Sequence, residues 1–294
     1  MPAAHTSLLR LATRGSALAR QQAELAAAAL RGCGGVEIET VIVRTEGDRR
    51  AQTPIDQLEG EGWFTAELER SVLDGRADIA VHSGKDLPSV LAAGLSVAGY
   101  LPRGDPRDGV VSAGDRPLAE LPSGATVGTS SARRAGLLAA LYPGLRPVPI
   151  RGNVDTRLRK LDAHEIDALV LACAGLDRLG LGDRCCERLD PLMFVPSPAQ
   201  GAIALEAAIG SPAAGLCAGV ADADTTAAVL AERAVLAGLG GGCLLPLGAW
   251  ARIEDGRLVV VAALVVDGAV RRHEMSGSVG NPAELGGLLA ARLR

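Results

Sequence analysis

Aromatic residues make up only 2% of this 294-residue chain, histidine appears four times, and only Lys85 and Lys160 among the 30 basic residues are lysines. With so few rings the core must come from Ala, Val, Leu and Ile, and a hydrophobic share of 48% is enough to build one and to exclude extended disorder. Long apolar segments are missing too. The longest run, Leu258 to Val266, falls well short of the roughly 20 residues that a membrane-spanning helix needs. The opening Met-Pro-Ala-Ala-His-Thr-Ser has no charged region followed by an apolar stretch, so the expectation is a soluble, cytoplasmic protein without a secretory signal or a membrane partner. A net charge of −4 lacks the basic excess of a dedicated nucleic-acid binder, so no nucleic acid is expected either. The cysteines, Cys33, Cys173, Cys185, Cys186, Cys217 and Cys243, show no CxxC or Cys/His spacing. No metal and no disulfide framework are therefore expected, and each defaults to a buried or inert thiol.

What is present is an alternation of strand and helix. Leu8–Thr13 reads as extended, Ser16–Arg31 as an Ala/Leu/Gln/Glu helix stopped by Gly32, Gly35–Thr45 as a strand, Trp63–Leu73 as a helix, and Ala77–His82 and Leu95–Leu101 as strands. After the turn formers and charges of Pro102–Arg107 the alternation restarts, with strands at Ala125–Gly128, Arg146–Ile150 and Asp167–Ala172 and helices at Ser131–Leu141 and Val154–Leu161. A second proline-dense crossing, Pro191–Pro198, precedes the apolar segment Gly201–Ala208, which is too short for a domain and is expected to return to the first. The last stretch differs. Thr225–Leu239 reads as a helix, the Asp255-Gly256 and Asp267-Gly268 pairs as hairpin turns in a three-stranded antiparallel meander, and Asn281-Pro282 as the start of a final helix.

Several constellations suit chemistry. Gly128-Thr129-Ser130-Ser131-Ala132-Arg133-Arg134 sits where a strand turns into a helix, so hydroxyls, free backbone N–H groups and guanidinium donors converge at the positive end of a helix dipole. A Ser N-cap with solvated arginines is the other reading of the same residues. The device recurs at Arg151-Gly152-Asn153-Val154-Asp155-Thr156-Arg157, and Arg14-Gly15-Ser16 would be a third instance, which suggests a polyanionic ligand at the carboxyl ends of parallel strands. Arg178 could join them or be an ordinary surface residue. Ser83-Gly84-Lys85-Asp86 closes a buried strand. Asp86 could serve as a fixed negative charge for a cationic intermediate, or form a surface pair with Lys85 ahead of Pro88. Gly240-Gly241-Gly242-Cys243 places a thiol on a conformationally free loop, as a covalent anchor or as a small residue beside a helix stop.

In order, Leu11–Ser16, Arg76–Asp86, Gly128–Arg134, Arg151–Arg157, Ala174–Leu179 and Gly241-Gly242-Cys243 resemble the porphobilinogen deaminase family across nearly the whole chain. The resemblance implies an α/β fold of two type II periplasmic-binding-protein-like α/β domains, at 1–102 with 199–220 and at 107–195. A small α+β C-terminal domain with a three-stranded antiparallel sheet would follow at 223–294. It implies a monomeric transferase that deaminates four porphobilinogen molecules, joins them head to tail and releases hydroxymethylbilane with uptake of water. A dipyrromethane cofactor would be attached through a thioether to Cys243. Asp86 would be catalytic. Ser83, Lys85, Thr129, Ser131, Arg133, Arg134 and Arg157 would bind the cofactor, and Arg14, Ser16, Arg151 and Arg178 the substrate.

The chemistry fits, because porphobilinogen carries two carboxylates and a two-ring cofactor four, which the arginine devices would match. Some positions depart from the family pattern. Glu61, in the Arg49–Gly62 stretch that reads as a lid, stands where a lysine is frequent, Gly84 stands where a larger residue is common, and Pro196–Ala202 is a variant of the usual crossing. The competing hypothesis is a carboxylate-binding receptor-like module without catalysis, for which the thiol loop has no use. A phosphate-handling enzyme is disfavoured by the lack of a GxxxxGK[ST] loop.

Overall fold

The alternating strand β1 (Ser7–Arg14) sends Leu9 and Leu11 to one side of a sheet and Ala12 to the other. Helix α1 (Ala17–Gly32) lies on the first side through Ala19, Gln22, Ala23, Ala26, Ala27 and Leu30, a three- and four-residue spacing whose alanines let the helix approach closely. The computed structural model describes residues 7–33, 35–49, 62–242 and 245–294. They form two compact units, one from the described residues up to 49 with 62–103 and 202–226, the other from 104–201 with 227–294.

The first unit continues with β2 (Val36–Val43), α2 (Glu46–Arg49), α3 (Ala66–Leu73), β3 (Ile79–Ser83) and β4 (Leu95–Tyr100). The second begins with β5 (Asp108–Ser112), β6 (Thr126–Gly128), α4 (Ala132–Leu141), β7 (Arg146–Val148), α5 (Val154–Asp162), β8 (Ala168–Ala172), α6 (Cys173–Arg178) and β9 (Glu187–Arg188). Next come β10 (Ile203–Ala208), α7 (Pro212–Gly219), α8 (Ala223–Gly238), β11 (Leu247–Glu254), β12 (Arg257–Val266), β13 (Ala269–Ser278) and α9 (Pro282–Leu293).

The two five-stranded sheets share one plan. In the first the order is β2-β1-β3-β10-β4, with β10 antiparallel to both neighbours and β1 parallel to β2 and β3. In the second it is β7-β6-β8-β5-β9, with β5 the antiparallel strand and β6 parallel to β7 and β8. Each is thus a mixed α/β sheet of the expected type II plan, with apolar clusters on both faces. A fully buried Leu such as Leu11 or Leu169 contributes about 1.5–3 kcal/mol to such a core.

The meander is the third sheet, β11-β12-β13. Both hairpin turns put Asp and Gly in the left-handed region (Asp255 φ 48°, Gly256 72°; Asp267 φ 50°, Gly268 77°), the backbone an Asp-Gly two-residue turn demands. The apolar run in β12 is explained by burial on both faces. Leu258, Val260 and Ala262 pack on α8 and α9, while Val261 and Ala263 pack on Val195.

The sequence reading overlooks β5, all five of whose residues are buried. It also treats Pro191–Pro198 only as a crossing, whereas Phe194 and Val195 are core residues.

Candidate active site

In the first unit the candidate residues stand at the carboxyl ends of β1 and β3, which are neighbours in the sheet. Arg14 ends β1 with its guanidinium 2.6 Å from Asp48 and stacked 4.1 Å above the Phe64 ring. Burial alone would raise Asp48, but Arg14 and the Thr45 hydrogen bonds hold it below the ordinary carboxylate value. Ser16 caps α1, its hydroxyl accepting from the Ala19 N–H at 3.2 Å.

After β3 the chain makes one 3₁₀ turn, Gly84-Lys85-Asp86, fixed from three sides. Ser83 exchanges hydrogen bonds with the Gln22 amide on α1 at 2.8 and 3.1 Å, the Gly84 N–H donates to the Ala202 carbonyl at 2.9 Å, and buried His82 meets buried Glu206 on β10 at 2.9 Å. Asp86 is half-buried at the last position of this turn. A rigid turn presenting a carboxylate is what electrostatic stabilisation of developing positive charge needs.

In the second unit the arginines divide into two groups. Thr129, buried, accepts the Ser131 N–H at 3.2 Å, and Ser131 caps α4 by accepting from the Arg134 N–H at 3.4 Å. Arg133 and Arg134 turn inward onto Asp108, a fully buried carboxylate at the start of β5. Arg133 reaches Asp108 at 2.7 Å and the Val195 carbonyl at 2.8 Å. Arg134 reaches Asp108 at 2.7 Å and the Val170 carbonyl at 2.9 Å, with Gln200 at 3.3 Å. Burial would raise Asp108 strongly, but the two guanidiniums overcome it and hold the carboxylate far below its ordinary value. Solvated arginines, the other reading of this motif, are not what the structure shows: both are buried, and Asp108 is their built-in counter-charge.

Arg151 and Arg157 are placed differently. Arg151 is half-buried, its Nε is shut off from solvent without a hydrogen-bond partner, and burial lowers its pKa. Arg157 donates to the Gly152 carbonyl at 2.8 Å, and Asn153 at the start of α5 makes no side-chain cap bond. Gly152 takes φ 109°, a backbone that favours glycine. Arg178, largely buried at the end of α6, donates to the Gly201 carbonyl at 2.6 Å, and burial lowers its pKa.

Two arginines on one aspartate leave a net positive charge beside the N-terminus of α4, and the Arg133 Nε there is buried without a partner. Together with Arg151, these donors fit an anionic, multi-carboxylate group.

Cys243 and Glu61 lie outside the described residues. The glycines leading to Cys243 are described, and Gly240, Gly241 and Gly242 have φ of 93°, 69° and 105°, conformations that side chains disfavour. Asp48, Phe64, Gln22, Asp108 and Gln200 escape the sequence reading. Each acts through a partner distant in the chain, so its local sequence carries no signal of the role.

The family model for the dipyrromethane cofactor-binding domain of porphobilinogen deaminase matches residues 9–214, and that for the C-terminal domain of the same enzyme matches 226–294. The chain belongs to the porphobilinogen deaminase family. Curated relatives agree. The porphobilinogen deaminase of Acidothermus cellulolyticus is 44% identical, with 99% of this chain and 90% of the relative covered. That of Mycobacterium tuberculosis is 46% identical, covering 97% of this chain and 96% of its own. Among solved structures, the periplasmic VFT2 domain of Bordetella pertussis BvgS aligns with 74% of this chain and 87% of its own, at 18% identity and a TM-score of 0.43.

Proposed function

We propose that this chain is a transferase of tetrapyrrole biosynthesis that deaminates four porphobilinogen molecules, joins them head to tail and releases hydroxymethylbilane by hydrolysis. The observation that carries this reading is the match of both family models over nearly the whole chain. The relatives' names favour it over a receptor without catalysis.

In this reading Cys243 bears a dipyrromethane through a thioether, and the bound group supplies the pyrrole carbon to which each new unit is joined. Ser83, Lys85, Thr129, Ser131, Arg133, Arg134 and Arg157 hold the cofactor, and Arg14, Ser16, Arg151 and Arg178 hold the substrate carboxylates. For Arg133 and Arg134 the geometry supports a deep supporting role, since both are fixed on Asp108 and contribute net positive charge. Asp86 holds a negative charge where loss of ammonia leaves positive charge on the substrate. Residues 223–294 are read as the carrier domain, because α8, α9 and the meander share one apolar core. Among the described residues no single helix is long and apolar enough to cross a membrane. A cytoplasmic monomer completes the proposal.

The test is a timed assay of purified protein with porphobilinogen. Four molecules of substrate and four of ammonia should be accounted for per linear tetrapyrrole released. Binding of porphobilinogen without consumption would reject the catalytic reading.

A further inference from the structure

Gly109 lies on β5 between Leu171 of β8 and Arg188 of β9. A side chain there would collide with two sulfurs at once, since the position of its Cβ is 2.6 Å from the Cys185 Sγ and 2.9 Å from the Cys173 Sγ. The two thiols thus share the space that the missing side chain leaves over the sheet. Cys173 is fully buried at the first position of α6, and Cys185 is half-buried after the turn Gly182–Arg184. The adjacent Cys186 is committed elsewhere. Its sulfur lies 3.3 Å from the carbonyls of Val110 and Arg116, and it packs with the opposite apolar cluster.

We propose that Cys173 and Cys185 form a peroxide-responsive dithiol, with Cys185 as the attacking sulfur and Cys173 as the resolving one. The chemistry of the pair supports the division of roles. The hydrogen bond from Cys173, helped by the charge of Arg188, brings Cys185 down to about 7 against the effect of burial. The same hydrogen bond, together with burial, pushes Cys173 up. The Cys185 thiolate attacks one peroxide oxygen, the O–O bond breaks, hydroxide leaves, and Cys185 becomes a sulfenic acid. The Cys173 sulfur then attacks the Cys185 sulfur, the S–O bond breaks, and the Cys173 proton leaves with the departing hydroxide as water. In total two thiols lose two electrons and two protons, and one hydrogen peroxide becomes two waters. A dithiol reductant reverses the change by exchange. Because α6 begins at Cys173 and ends at Arg178, the bond would pin the helix that carries Arg178. This inference does not depend on the proposed activity.

The test uses the reduced full-length protein, treated with hydrogen peroxide and digested by trypsin without reduction. Arg178 and Arg184 lie between the two cysteines, so cleavage there leaves their peptides joined only by a disulfide. The expected result is a Cys173 peptide linked to the Cys185 peptide with loss of two hydrogens, restored by dithiothreitol. The link should vanish in Cys185→Ser and persist in Cys186→Ser. In Cys173→Ser, dimedone should trap a sulfenic acid at Cys185. A wild-type digest in which the Cys173 peptide stays unlinked while exposed Cys33 is oxidised would overturn the proposal, as would a link that survives Cys185→Ser.

Discussion

Helices α4 and α5 begin with the same device: a parallel strand, a small polar residue and arginine in the first turn. The structure puts it to two uses. At α4 the cap is made by Ser131, and both arginines turn into the core onto Asp108. At α5 the Asn153 side chain makes no cap bond, and Arg151 stays half-buried with an unsatisfied Nε. The difference lies in what stands beneath. Asp108 on the antiparallel strand β5 draws the α4 guanidiniums inward, whereas among the described residues no carboxylate is paired with Arg151. One motif thereby carries a net positive charge fixed on a buried carboxylate, and the other leaves the Arg151 Nε without a hydrogen-bond partner.

Removing the counter-charge should break the comparison most severely. Asp108→Ala leaves two buried guanidiniums without their shared partner, and breaking a buried ion pair this way costs about 3–5 kcal/mol. Urea unfolding should show that loss, and a loss under about 1 kcal/mol would mean the network is solvated. Next in size, Asp86→Asn should lower turnover by about 10²–10³ with unchanged unfolding, because shape is kept and charge removed. Near-normal turnover would mean that the charge is not catalytic.

The helical and hairpin framework was legible because local chemistry dictates it: Ser16 and Ser131 are good caps, and Asp-Gly fits two left-handed positions in a row. Strand β5 was not legible. It opens with Asp108 and Gly109, residues that propensity removes from strands, and only the arrival of Arg133, Arg134 and Gln200 makes a carboxylate tolerable there. The inward turn of Arg133 and Arg134 was hidden for the same reason, since hydropathy assigns arginine to solvent and the deciding partner is a residue of another strand. At the candidate site, the strand-end positions of Asp86 and Arg151 followed from the alternation of elements, while the supports from Gln22, Asp48 and Phe64 depend on tertiary packing.

Smaller effects sharpen the contrast. Arg151→Ala should raise KM for porphobilinogen about ten- to a hundredfold, the value of a charged hydrogen bond, with kcat less affected and stability unchanged. An equal fall in thermal stability would make Arg151 a structural residue like Arg134. Smallest of all, Ser131→Ala should cost about 1 kcal/mol in unfolding free energy through loss of the cap. Asn153→Ala should change it by less than about 0.5 kcal/mol. Equal costs at the two positions would erase the distinction between the helix starts.

The central claim, that these arginines and the glycine-supported loop serve a covalently held multi-carboxylate group, is tested most directly by intact mass. Purified protein should be heavier than its sequence by two pyrrole units. Cys243→Ala should fold, carry no adduct and convert no porphobilinogen, while Cys33→Ala and Cys173→Ala keep the adduct. A wild-type mass equal to the bare chain in a protein that turns over porphobilinogen, or an adduct that survives Cys243→Ala, would contradict the account.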